Sequence, residues 1–156
     1  MLANRTIAAS IVHNDDFLWI TGGMDKDLNL MHSSSEFIQA GKNNSVAGTD
    51  LPRPLHYHAM VVVEKDLTMV IGGLSLNGTA DSEITYYYDH SSNQWTLGPP
   101  LITRRHGHAA FILTDEVSSK NIIMVAGGFY GESLNSTEIL KDGKWIKGRN
   151  NFNVII

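Results

Sequence analysis

Short apolar runs that end in paired glycines recur three times along the chain. Phe17 to Ile20 precedes Gly22-Gly23, Leu67 to Ile71 (with Thr68 inside it) precedes Gly72-Gly73, and Ile122 to Ala126 precedes Gly127-Gly128. A run of four or five apolar residues closed by glycine reads as a strand buried on both faces, because a helix needs a longer stretch with its apolar positions three and four apart. The glycine pairs lie 50 and 55 residues apart, so the pattern is a repeat.

Other features keep the same interval. Ten to thirteen residues after each pair a hydroxyl residue precedes glutamate, at Ser35-Glu36, Ser82-Glu83 and Thr137-Glu138, and each is read as the opening of a further strand. Gly48, Gly98 and Gly148 follow, with Ser45, Trp95 and Trp145 three positions before them. Between the units, Leu51-x4-His56-x-His58-Ala59 returns as Leu101-x4-His106-x-His108-Ala109, and the apolar runs Ala59 to Val63 and Ala109 to Leu113 start the next unit. The five extra residues of the longer interval fall in the polar stretch Thr114 to Lys120, a place where a hairpin tip absorbs an insertion cheaply. Each unit therefore reads as four short antiparallel strands, A to D. In the second unit these are about His58 to Val63, Leu67 to Gly73, Glu83 to Asp89 and Gln94 to Gly98. The units span about 6–48, 56–98 and 106–148, and a fourth begins at 151–156.

This arrangement resembles the kelch repeat of β-propellers. The resemblance is densest from Met69-Val70-Ile71-Gly72-Gly73 through Tyr88 to Trp95, which carries the glycine pair, the strand C tyrosine and the strand D tryptophan. Ser45 in place of the tryptophan and Leu140 in place of the tyrosine depart from it. The resemblance implies an all-β chain of about three four-stranded blades forming an incomplete ring, since closed propellers use about 4–8 blades. It also implies a protein-interaction module belonging to a larger scaffold or adaptor, with a carbohydrate-binding or carbohydrate-active propeller as the alternative. Self-association or further blades would then close the ring. In the family, the partner meets the face built from the B–C loops and the D–A connections.

Composition narrows the chemistry. With 12 Lys and Arg against 16 Asp and Glu the formal charge is −4, which offers no basic field to a nucleic-acid backbone. The absence of cysteine removes disulfides, thiolate metal sites and cysteine nucleophiles, and with them the tyrosine–cysteine crosslink that a galactose-oxidase-like copper propeller requires. No signal-peptide pattern follows Met1 and no apolar run is long enough to span a membrane. The sequons at Asn4, Asn43, Asn77 and Asn135 are a number that an Asn- and Ser-rich chain produces by chance. No Gly-x-Ser-x-Gly elbow is present. The chain is thus expected to be non-catalytic and to need no cofactor.

Candidate binding residues are sought where the repeat breaks. In the D–A connections Arg53 stands in the place of Thr103, and Arg104 and Arg105 in the places of Pro54 and Leu55. A guanidinium on a loop face can grip a carboxylate with two donors, so these three arginines are the expected polar contacts to a partner. The recurring glutamates, in contrast, are expected to accept hydrogen bonds that tie blades or loops together. Alternate residues of a strand share a face, so His56 with His58, and His106 with His108, could each offer two ligands to a metal. No third ligand recurs and the first unit has Thr6 and Ala8 at these places, so structural histidines are expected and no metal site.

Overall fold

The computed structural model describes residues 2–13, 16–25, 27, 30–42, 44–75, 83–114 and 120–148. The described chain is all β. The first sheet holds β1 (Ala9–His13), β2 (Phe17–Thr21), β5 (Ser35–Gln39) and β6 (Ser45–Ala47), with the small ribbon β3 (Met24–Asp25) and β4 (Leu30–Met31) between its second and third strands. The second holds β7 (Ala59–Glu64), β8 (Leu67–Ile71), β9 (Thr85–Asp89) and β10 (Gln94–Leu97). The third holds β11 (Ala109–Thr114), β12 (Asn121–Ala126), β15 (Thr137–Lys141) and β16 (Lys144–Lys147), with the ribbon β13 (Phe129–Tyr130) and β14 (Glu132–Ser133). All pairings are antiparallel, and within each four-stranded sheet each strand pairs with the next strand of that sheet along the chain. The three four-stranded sheets stand side by side with their first strands in contact and do not close into a ring. The all-β, three-bladed, incomplete propeller expected from the repeat is the fold observed.

Two apolar clusters join the blades. Trp19, Leu55, Val70, Tyr86 and Tyr88 meet between the first and second, and Met69, Ile71, Leu101, Val125 and Trp145 between the second and third. Burial of these large side chains against a neighbouring blade, at about 25 cal/mol per Å2 of apolar surface, is what holds separate sheets together. The strand D tryptophans also reach backwards. Trp145 donates its Nε1–H to the carbonyl of Pro99, 2.9 Å away in the preceding connection.

The glycine pairs serve this close approach. Gly23 N–H donates to the Leu55 carbonyl (2.8 Å) and Gly73 N–H to the Arg105 carbonyl (3.1 Å), so the first two pairs are bonded to the entry of the next blade. At Gly22, with φ of +62°, a Cβ would collide with the Leu55 carbonyl and the His58 ring, so glycine is required there by contact as well as by conformation.

One expected correspondence is shifted. Thr21, Ile71 and Ala126 pair with Ser35, Thr85 and Thr137, and the carbonyls of those three accept from Gly48, Gly98 and Gly148. Strand C of the second blade therefore starts at Thr85, and the residue matching Glu36 and Glu138 is Tyr86, not Glu83. The expected start of a fourth blade at 151–156, the core of the insertion at 115–119 and most of the second B–C loop (76–82) lie outside the described residues.

Candidate interaction surface

The D–A connections and B–C segments meet at one end of the strands. Thr6 pairs with Met24, His56 with Leu74 and His106 with Phe129, each by an isolated antiparallel bridge just before strand A. The residues immediately after, Ile7, Tyr57 and Gly107, all have positive φ (51°, 56° and 62°). Tyr57 N–H donates to the Ile7 carbonyl (3.1 Å) and Gly107 N–H to the Tyr57 carbonyl (2.8 Å), so a backbone ladder crosses from blade to blade at this rim.

Arg105 does not lie on this surface. Its side chain is fully buried and its guanidinium is 2.8 Å from the Glu138 carboxylate. It also donates to the carbonyls of Gly127 and Ser136 (2.7 and 3.2 Å) and to the Ser136 hydroxyl. Glu138 in turn accepts from the backbone N–H groups of Ile102 and Thr103 (2.7 and 2.8 Å). Arg105 is thus a clasp inside the third blade, and the expectation that it contacts a partner is corrected by its burial. Arg5 repeats the clasp in the first blade, donating to Gly22 O, Ser34 O and Ser34 Oγ with Glu36 3.1 Å from its Nε. Burial raises the Glu36 pKa, but the Ser45 hydroxyl, the Leu2 N–H and the Arg5 charge together hold it below the usual carboxylate range. The glutamates at these two places are the loop anchors that the repeat suggested. Arg5 was legible as the partner of Arg105, since the two stand 100 positions apart, twice the repeat.

Arg104 is on the surface. Its Nε lies 3.0 Å from a Glu83 carboxylate oxygen, both side chains being about one third exposed, and its guanidinium sits 5.9 Å from the Tyr130 ring centroid. Arg53 is half-buried in the preceding connection and is engaged by its neighbours. Around Arg104 the face collects aromatic rings, which a comparison of charged positions between the repeats does not reveal. Tyr57 packs between His56 (5.4 Å between centroids) and His106 (5.7 Å), and His106 against Phe129 (5.6 Å). Tyr57, Phe129 and Tyr130 are 43%, 44% and 45% exposed. The signal was present in sequence, because Phe129 and Tyr130 follow a glycine pair where the other units carry Met24-Asp25 and Leu74-Ser75.

Burial disfavours the charged forms of the four histidines that precede strand A in the second and third blades. Burial lowers the pKa of His56, helped by His106, and burial lowers that of His106. His58 is pushed down to about 3 by burial and by His108 and His56, and its Nε2 bonds the Thr21 hydroxyl of the first blade at 2.8 Å. His108 is likewise pushed down to about 3, by burial and by the charge of Arg105. Among the described residues no group of three or more His, Cys, Asp or Glu side chains is placed to hold a metal ion.

At the opposite end of the strands, by the A–B and C–D turns of the first two blades, a cavity of about 720 Å3 is lined by His13, Phe37, Lys42, Asp66, Tyr88 and His90 among others. The His13 and His90 rings stack there at 3.9 Å.

No family model matches the chain. It is 27% identical over 144 residues to kelch repeat protein C2 of vaccinia virus (strain Western Reserve), covering 89% of this chain and 26% of that protein. The protein of that name from cowpox virus (strain GRI-90) matches to the same degree. Alpha-scruin of Limulus polyphemus is 27% identical over 146 residues, 85% of this chain and 15% of that protein. The chain thus spans about a quarter of the length of the poxvirus relatives. A repeat that holds one register through three four-stranded sheets is matched along most of its length by kelch-repeat proteins, and it is this family that the chain resembles.

Proposed function

We propose that the chain is a non-catalytic protein-interaction module, part of a larger scaffold or adaptor, and that the face of D–A connections and B–C segments receives the partner. The observation that carries this reading is the surface strip of Tyr57, Phe129, Tyr130 and Arg104 on a framework whose interior otherwise repeats. Aromatic and arginine side chains dominate interface energetics, and a repeat scaffold can vary its loops without disturbing its core. Arg53 and Arg104 are the polar contacts of this surface.

The outer face of the third blade supports a second contact, with a further blade or another copy of the chain. Trp19 and Met69, in matching places on strand B, are fully buried by the following blade, whereas Met124 is half-exposed beside Ile139 and the exposed Ile146. A partner isolated with the full-length protein tests the reading. Arg104→Ala should weaken its binding about tenfold while Tm hardly moves, because an exposed ion pair contributes only about 0–1 kcal/mol to stability. Unchanged affinity in Arg104→Ala and Arg53→Ala alike would refute it.

A further inference from the structure

Tyr57 stands where the backbone calls for glycine. The ladder from Ile7 O to Tyr57 N and from Tyr57 O to Gly107 N imposes a left-handed conformation at this position of each blade, and a bulky residue there is a genuine outlier. The third blade meets the demand with Gly107, where an added Cβ would touch nothing nearer than Tyr57 Cδ1 at 3.9 Å. In the first blade Ile7 is half-buried, so its side chain packs. Tyr57 is 43% exposed. A strained residue that leaves so much of its ring in solvent points to a role for that ring outside the fold.

We propose that Tyr57 is kept in this conformation as the anchor of the interaction face, and that the segment it receives is an uncharged, proline-bearing extended peptide. This rests on the interaction reading and adds the partner's chemistry to it. The strip runs from Tyr57 over His106 to Phe129 at ring spacings of 5.7 and 5.6 Å. Arg104 beside it is matched by Glu83 at 3.0 Å, and burial disfavours the charged forms of His56 and His106. An acidic segment would have to displace Glu83. A polyproline II segment needs no such exchange, is already ordered, and docks on rows of exposed rings.

The test uses the full-length protein with fluorescein-labelled decaproline, and decaglutamate and maltoheptaose as contrasts. Decaproline should bind the wild type and Tyr57→Phe alike and bind Tyr57→Gly at least about tenfold more weakly. Tm of Tyr57→Gly should hold or rise, by up to roughly 2–4 °C, since glycine relieves the backbone. Decaproline binding unchanged in Tyr57→Gly would overturn the proposal, as would a fall in its Tm or a preference of the wild type for either contrast ligand. If a natural partner loses affinity on Arg104→Ala but not on Tyr57→Gly, the anchor fails and the interaction face stands; if neither change matters, both fail.

Discussion

Leu55 and Tyr86 fill, in the second blade, the two places that a buried ion pair fills in the first and third, where Arg5 meets Glu36 and Arg105 meets Glu138. Removing one partner of such a pair strands a charge and costs about 3–5 kcal/mol, whereas replacing both by well-packed apolar groups is often neutral. Arg105→Leu should therefore lower stability in urea by about 3–5 kcal/mol, and adding Glu138→Tyr should recover most of it. A double variant as unstable as the single one would show that the second blade's solution does not transfer. The histidines give a pH signature. His58 and His108 have pKa values near 3, and His90 near 4 through burial and its stack on His13. All three lie below the unfolded value of about 6.5, so folding favours their neutral forms. Stability is complete above about pH 6.5 and is lost as pH falls toward 4, with His58 alone accounting for about 2 kcal/mol at pH 5. Urea unfolding from pH 7 to pH 4.5 should show that decline, shallower in His58→Asn. The arginine clasp was only half visible in sequence, because Leu55 stands between Arg5 and Arg105 in the repeat, and the exchange of charge for apolar packing in the middle blade conceals the match.

Strands were legible because each carries its own signal, an apolar run ended by glycines that the neighbouring blade presses against. The observed strands of the second blade differ from the expected ones by two residues or fewer at each end. The error was one of phase inside the unit. Ser82-Glu83 imitates Ser35-Glu36, but strand C is placed by the bond from Gly98 N–H to the Thr85 carbonyl and by the Thr85 hydroxyl on the Pro99 carbonyl, contacts that no dipeptide announces. Gly22 and Gly41 separate conformation from contact at this scale, since both have positive φ but nothing lies within 4 Å of a Cβ at Gly41. Gly22→Ala should be about 1–3 kcal/mol more destabilising than Gly41→Ala by thermal unfolding. Equal losses would mean that the blade entry yields, and that the close approach of Leu55 is not a constraint.

For the whole molecule, the three sheets meet in chain order, first with second and second with third, and the face bearing Phe111, Met124, Ile139 and Ile146 packs against no other described sheet. An apolar sheet face in water promotes association. Sedimentation of the 156-residue chain should show concentration-dependent self-association that Met124→Lys with Ile139→Lys suppresses, and a monomer at all concentrations would contradict that. The face of D–A connections and B–C segments was legible as a place, and its exposed side chains were not. The repeat identified the loops, but which side chains point outward is decided by tertiary contacts, which bury Arg105 beneath the surface and leave Tyr57 upon it. The most direct test of the account places a photo-crosslinking amino acid at Tyr130, on the loop face, or at Ser91, at the turn end of the second blade, in the full-length protein. A partner adduct at position 130 and none at 91 is the predicted result. Adducts at 91 with none at 130 would contradict it.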